Sequence, residues 1–406
     1  MMMLSIRQLQ KNTRTSVIGS SSSFSLWKTG APTRRIQPRK SQAVGFQTNS
    51  VSFSWPGVQN LRGFSTETKD GDDEAPKKKN SIDNASPPSA AEEIADASAR
   101  GIGQVLFLNS PKAGQIIGVG LFLGDPYLAG LAALGTFTAT ATARAAGLDK
   151  GSIQNGLLGY NGCLVGCAAA VFGTPSILAA TTATIVGASA TPFVASSLKE
   201  AMGGVPQWTF AFNFVTLTSL LKTRPLVAPP PSTATTTETA TAAVASKGSI
   251  FFDVLTSPLT GVSQIFVVQS PLSGAVILGG IGSYSPLLAV HALGGSTMGT
   301  LMGALGGASL EELTMGLYGF NSALTSMAVG VFFVHSTPSL VLSAGGAAAT
   351  ASLFGAMKTV FGAYGAPCLT LPFCLTMSAC YLLQKHVPGL VLATNPHSPE
   401  KNEKLL

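Results

Sequence analysis

The sequence predicts an all-α, polytopic membrane protein made of two homologous halves. Three observations carry this. Only 11% of the 406 residues are charged, against roughly 25% in soluble domains. The charges are also uneven: residues 1–92 hold 13 basic and 7 acidic groups, while residues 93–385 carry 19 charges in all. The two apolar blocks this leaves, about 93–222 and 251–385, match each other at a constant offset.

The first 66 residues contain no acidic group, and Arg7, Lys11, Arg14, Lys28, Arg34, Arg35, Arg39, Lys40 and Arg62 are spread through a Ser/Thr/Gln-rich background. That composition predicts an organellar transit peptide over 1–66. Leu61-Arg62-Gly63-Phe64-Ser65-Thr66 resembles a mitochondrial cleavage site. The expected location is the mitochondrial inner membrane, with a plastid second; a plain basic cytoplasmic tail, and so the plasma membrane, is the remaining alternative. Residues 67–92 read as a polar spacer, too poor in apolar groups to bury a core. The net charge of +7 comes mostly from this N-terminal region, so it gives no reason to expect a nucleic-acid partner.

Each apolar block is long enough for about five membrane helices at roughly 20 residues per crossing. A shift of 160 pairs Gly101 with Gly261, Gln104 with Gln264, Ser110-Pro111 with Ser270-Pro271, Pro126 with Pro286 and Asn161 with Asn321; near the end the shift becomes 161, pairing Thr209 with Thr370. Matched Gly, Pro, Asn and Gln are not produced by apolar composition alone. The expected domains are a membrane repeat at 93–222, a linker loop at 223–250 containing Pro229-Pro230-Pro231, a second repeat at 251–385 and a C-terminal tail at 386–406. Duplicated halves are the usual plan of transporters, with the solute site between them. An odd number of crossings per half would invert one repeat relative to the other.

Each half opens with a short apolar segment, Ile94 to Leu108 and Phe251 to Val268, that runs into Ser-Pro. Such a segment is short for a crossing, and the proline disfavours helix just before it, so each is expected to be a re-entrant helix lining a polar cavity. Gln104 and Gln264 lie two turns before those prolines. Interhelical hydrogen bonding is the plainer role for such residues; their symmetric placement favours pore lining. A membrane Thr such as Thr209 or Thr370 ordinarily bonds its own helix carbonyl. Asn161 and Asn321 are expected to hold backbone groups at a helix break.

With Arg100-Gly-Ile-Gly-Gln104, Gly156-Leu-Leu-Gly-Tyr-Asn161, Gly261-Val-Ser-Gln264, Gly316-Leu-Tyr-Gly-Phe-Asn321 and Pro367-Cys-Leu-Thr-Leu-Pro-Phe373, the sequence resembles the urea transporter family over about 93–385. The resemblance implies a passive, selective urea pore in each subunit of a homotrimer embedded in the lipid bilayer, formed between inverted halves. It implies that Gln104 and Gln264 bind the urea amides, that Phe107, Tyr160, Leu164, Val267, Phe320 and Leu324 line a slot for the planar solute, and that Thr209 and Thr370 are the central threonines. The sequence departs from the family in Phe210-Ala211-Phe212, where Leu-Pro-Phe is usual, in Asn109-Ser110, where Asn-Asn is commoner, and in the hydroxyl of Tyr160.

These residue types suit urea. Its N–H and carbonyl groups lose water on entering an apolar pore, and leaving them unmet costs several kcal/mol. A Gln amide can donate and accept, and a Thr hydroxyl can do either. The alternatives are a pore of the same architecture for another neutral solute (an amide, ammonia or water) or a non-conducting scaffold. No phosphate loop of the G-x-x-x-x-G-K-[ST] kind occurs, so nothing supports ATP drive. Asp96, Asp125, Asp253 and Glu311-Glu312 lie near Pro, Gly or helix starts, which points to interface or capping roles. No metal-ligand spacing or nucleophile–base pair stands out, so neither an enzyme nor a cofactor is expected. His291 is expected to be buried and hydrogen-bonded, and the five cysteines to be buried free thiols.

Overall fold

A computed structural model of the chain describes residues 89–173, 176–222 and 247–402. The expected transit peptide, residues 67–88 of the spacer and 223–246 of the linker lie outside these. The described residues form helices and one isolated antiparallel bridge between Phe333 and Leu392.

The first run of helices is α1 (Ala90–Gln104), α2 (Pro111–Gly124), α3 (Pro126–Ala145), α4 (Lys150–Gln154), α5 (Tyr160–Phe172), α6 (Ile177–Ala201) and α7 (Phe210–Lys222). The second is α8 (Lys247–Gln264), α9 (Pro271–Tyr284), α10 (Pro286–Leu305), α11 (Leu310–Thr314), α12 (Gly319–Phe332), α13 (Thr337–Ala363) and α14 (Leu371–Leu383). From α2 and α9 onward corresponding helices start 159 to 161 residues apart, and α1 and α8 end 160 apart, the offset read from the sequence.

Local chemistry sets these boundaries. Ser89 Oγ accepts from the Glu92 N–H while the Glu92 carboxylate accepts from the Ser89 N–H, a capping box that starts α1 inside the span expected as spacer. Helix α8 likewise begins at Lys247, inside the expected linker. Ser110 and Ser270 cap α2 and α9, each with Pro in the first helical turn, where its missing N–H costs nothing. Single extended residues, Asp125 and Ser285, separate α2 from α3 and α9 from α10, and each caps the following helix.

These breaks shorten the helices. Among the described residues, α6, α10 and α13 are long and apolar enough to cross a membrane. The others are 5 to 20 residues long, so helix length alone does not reproduce the expected five crossings per half.

The two runs meet along α2 and α9. A Cβ at Gly114 would lie 1.8 Å from the Ala99 carbonyl oxygen, and one at Gly274 would lie 1.9 Å from that of Leu259. Glycine there lets α1 press on α2, and α8 on α9, backbone to backbone. One hydrophobic core draws on both runs, with Leu106, Ile117, Leu164, Phe212, Phe266, Ile277, Leu324 and Phe373 among its buried members.

The C-terminal segment is docked as far as Asn402. The Val334 N–H donates to Val391 O at 2.8 Å, and the Ala393 N–H to Phe332 O at 2.9 Å. Asn402 Nδ2 donates to the carbonyls of Gly330, Val331 and Phe333, which the end of α12 leaves free. The Glu400 carboxylate accepts from Ser285 Oγ and the Leu287 N–H. It thus brings to the start of α10 the negative charge that Asp125 brings to the start of α3.

Candidate functional site

Helices α1 and α8 end at Gln104 and Gln264 in matched tight turns. Phe107 N–H donates to Gln104 O at 3.1 Å and Val267 N–H to Gln264 O at 2.9 Å. Phe107 (φ 66°) and Val267 (φ 62°) both adopt left-handed backbone, which costs a residue with a Cβ about 1–3 kcal/mol and persists only where surrounding structure imposes it. Trp208 (φ 48°) and Leu369 (φ 51°), before α7 and α14, form a second such pair. Two predicted slot residues and the neighbours of both predicted threonines thus sit at the strained non-glycine positions.

The two glutamines differ in surroundings. Gln104 Nε2 donates to the Asn155 carbonyl at 2.8 Å, and Asn155 Oδ1 accepts from Asn109 Nδ2 at 2.9 Å. Arg100, paired with Asp96, donates to Asn109 Oδ1 at 2.9 Å. The corresponding positions of the second run, Thr260, Gln269 and Met315, provide no such chain. Gln264 is 8% exposed and its side chain makes no hydrogen bond to the described residues, leaving its donors and acceptor available to a solute.

The predicted threonines meet. Thr209 Oγ1 and Thr370 Oγ1 are 2.7 Å apart and both are buried. Other buried threonines bond their own helix: Thr136 Oγ1 donates to Ala132 O, and Thr184 Oγ1 to Ala180 O. Two residues that sequence reasoning did not single out complete the cluster. Asn213 Nδ2 donates to Thr209 O and to Thr370 Oγ1, both at 2.9 Å, while its Oδ1 accepts from the Thr370 N–H at 3.2 Å. Cys374 Sγ lies 3.1 Å from Thr209 Oγ1. Asn213 and Cys374 stand at the same offset as the threonines, one turn further on, which is the sequence signal that could have found them. The result is a buried, uncharged point with hydroxyl, amide and thiol groups converging from both runs, suited to a neutral hydrogen-bonding solute.

The family model described as urea transporter matches residues 95–385. Over 299 residues the chain is 32% identical to urea transporter 1 of Ovis aries, spanning 72% of this chain and 77% of that protein. Over 296 residues it is 31% identical to urea transporter 1 of Mus musculus, with the same coverage. The chain belongs to the urea transporter family. It is therefore an integral membrane protein, and the matched span contains every residue of the central cluster.

In this family member the asparagines do act at helix breaks. Asn161 Oδ1 accepts from the Phe212 N–H at 3.1 Å, and Asn321 Oδ1 from the Phe373 N–H at 3.3 Å. Asn321 Nδ2 also donates to Leu369 O at 3.2 Å. In the first run the matching carbonyl, Trp208 O, accepts instead from the Tyr160 hydroxyl, which in turn accepts from Gln207 Nε2. Asn161 Nδ2 consequently lies beside the Tyr160 hydroxyl with no hydrogen bond of ordinary geometry among the described residues. The departure at Tyr160 thus rewires one half of the pair.

Among the predicted slot residues, Leu164 and Leu324 are fully buried, while Phe107, Tyr160, Val267 and Phe320 pack on the shared core from its edge. Phe107 reaches across to the second run, with ring centroids 6.1 Å from Phe332 and 6.3 Å from Phe373. Phe320 packs edge-on against Phe354 at 5.6 Å. His291 is buried with Nδ1 3.2 Å from Ser326 Oγ and 3.1 Å from Ser343 Oγ, and all five cysteines are buried free thiols. Asp125 caps α3, as expected of it.

Proposed function

We propose that this chain conducts urea passively, down its gradient, through a narrow path between two inverted repeats. The observation that carries the reading is the contact of Thr209 and Thr370 at the buried meeting point of the two runs. Gln104 and Gln264 precede the two matched turns, so the proposed path offers neutral amides, then hydroxyls, to a solute rich in N–H groups. Aromatic and aliphatic walls from Phe107, Tyr160, Leu164, Val267, Phe320 and Leu324 would admit a flat neutral molecule. They would give a charged ion no replacement for its hydration. The urea transporter 1 relatives support the choice of solute. The proposed assembly is a homotrimer in the lipid bilayer with one path per subunit. The N-terminal composition supports an organellar address, mitochondrial before plastid.

Purified full-length protein in liposomes tests the function by stopped-flow light scattering with urea, acetamide, ammonia and water gradients in turn. Rapid volume recovery with urea is expected. Fast flux of another solute with none of urea would replace the substrate, and no flux at all would make the protein a scaffold.

A further inference from the structure

We infer that Asn213 is a positioning residue that sets the hydrogen-bonding polarity of the Thr209–Thr370 pair and thereby favours solutes carrying N–H donors on both sides. The inference rests on the proposed urea path. It extends that path to a residue pair, Asn213 and Cys374, that breaks the equivalence of the two halves at the central point.

Asn213 has two amide hydrogens, and one is engaged by Thr209 O on its own helix. The other points at Thr370 Oγ1 at 2.9 Å, with the weaker acceptor Cys374 Sγ further off at 3.6 Å. A hydroxyl that accepts a hydrogen bond becomes a better donor. The Thr370 hydroxyl hydrogen therefore goes to Thr209 Oγ1 at 2.7 Å. The Thr209 hydrogen goes on to Cys374 Sγ at 3.1 Å, a weak acceptor that ends the chain. The hydroxyl hydrogens are then consumed within the cluster, and each oxygen keeps one free lone pair. The pair faces the path as two acceptors. Urea, with an NH₂ on each side of its carbonyl, can satisfy both, whereas acetamide presents a methyl to one of them and leaves it unmet.

Asn213 also ties the halves together in space. Its Oδ1 accepts from the N–H of Thr370, the residue just before α14, so one side chain of α7 fixes both the hydroxyl and the backbone of the opposite threonine. The position matched to Asn213 is Cys374, whose sulfur also meets the hydroxyl and the backbone of Thr209 but is a weak donor and acceptor beside an amide. The polarity therefore runs one way, from Asn213 to Cys374.

The test is a swap. Wild type, N213C, C374N and the double variant N213C/C374N are reconstituted full-length in liposomes, with assembly checked by size and thermal unfolding. Urea and acetamide flux are then measured for each. Asn213→Cys removes the donor that starts the chain, so urea flux is expected to fall about tenfold and the urea-to-acetamide ratio to fall with it. The double variant places the amide on the opposite helix and reverses the chain. It is expected to restore both flux and ratio to within about threefold of wild type. A folded N213C with an unchanged ratio would overturn the role of Asn213 while leaving the urea path standing. Loss of flux that the swap fails to restore would assign the effect to local packing and overturn it too. No urea flux in the wild type would overturn the path itself, and the inference with it.

Discussion

Thr209 and Thr370, 161 positions apart in the chain, place their hydroxyl oxygens 2.7 Å from each other. The contact is unequal, because Thr370 Oγ1 also accepts from Asn213 while Thr209 Oγ1 has Cys374 as its other neighbour. Thr370→Val strands a buried amide donor and is expected to cost about 1–3 kcal/mol, whereas Thr209→Val loses weaker bonds and costs about 1 kcal/mol. Thermal unfolding of the two purified variants checks the order; equal or reversed losses would contradict the bonding described.

Asn321 serves two backbone groups and Asn161 one. Asn321→Ala should therefore destabilise more than Asn161→Ala, by about 1 kcal/mol. Tyr160→Phe frees the Trp208 carbonyl for the unpaired Asn161 amide, so the loss of the hydroxyl should be largely compensated. In a Tyr160→Phe background, Asn161→Ala should then cost as much as Asn321→Ala does in the wild type. Unfolding midpoints of the four variants decide it.

Gly114 and Gly118 lie one turn apart on α2 but differ in surroundings. A Cβ at Gly114 would overlap the Ala99 carbonyl, whereas nothing lies within 4 Å of one at Gly118. Gly114→Ala is expected to prevent assembly or cost several kcal/mol through a forced separation of α1 and α2. Gly118→Ala should be neutral or mildly stabilising, since Ala is the better helix former. Yield of monodisperse protein after solubilisation separates the two; equal yields would contradict the close approach.

The docked C-terminal segment should loosen in mild acid. The His397 ring stacks on Tyr284 with centroids 5.0 Å apart. Burial, with repulsion from Lys401, holds its imidazole below the ordinary value, and Glu400 opposes this in part. A histidine so depressed contributes fully above its unfolded value of about 6.5 and loses that contribution as pH falls below it. Burial alone would raise the Glu400 carboxyl, but hydrogen bonds from Ser285 and the Leu287 N–H hold it low. Its contribution is therefore present above about pH 4.3 and fades only under stronger acid. Hydrogen exchange across 391–402, corrected for intrinsic rates, should be faster at about pH 5.5 than at about pH 7.5. His397→Gln should flatten that difference; a difference that persists would assign it elsewhere.

The helix breaks before Pro111 and Pro271 and the matching of Thr209 with Thr370 are legible because they rest on local or repeated signals. Ser-Pro marks helix starts at 110–111 and 270–271, though not at 257–258 inside α8, and a side chain repeated at fixed offset, as in Thr209 and Thr370, survives the apolar background. The left-handed turns were not legible. Phe107, Val267, Trp208 and Leu369 are residue types that disfavour φ > 0, so tertiary packing imposes what propensity would refuse. Asn213 and the place of Cys374 beside it are not marked by identity, because the two halves carry different residues there and only the shared offset relates them. The C-terminal segment reads as a tail in sequence, because Glu400 and Asn402 are ordinary polar residues there. Only the fold shows which helix ends they meet.

The most direct measurement of the central claim is urea flux through Gln264→Leu in liposomes, beside wild type and Gln104→Leu. Gln264 makes no side-chain hydrogen bond to the described residues, whereas Gln104 is tied to Asn155. Both variants are expected to assemble normally and to lose most urea flux, with the larger loss for Gln264→Leu. Wild-type flux through a correctly assembled Gln264→Leu would contradict it.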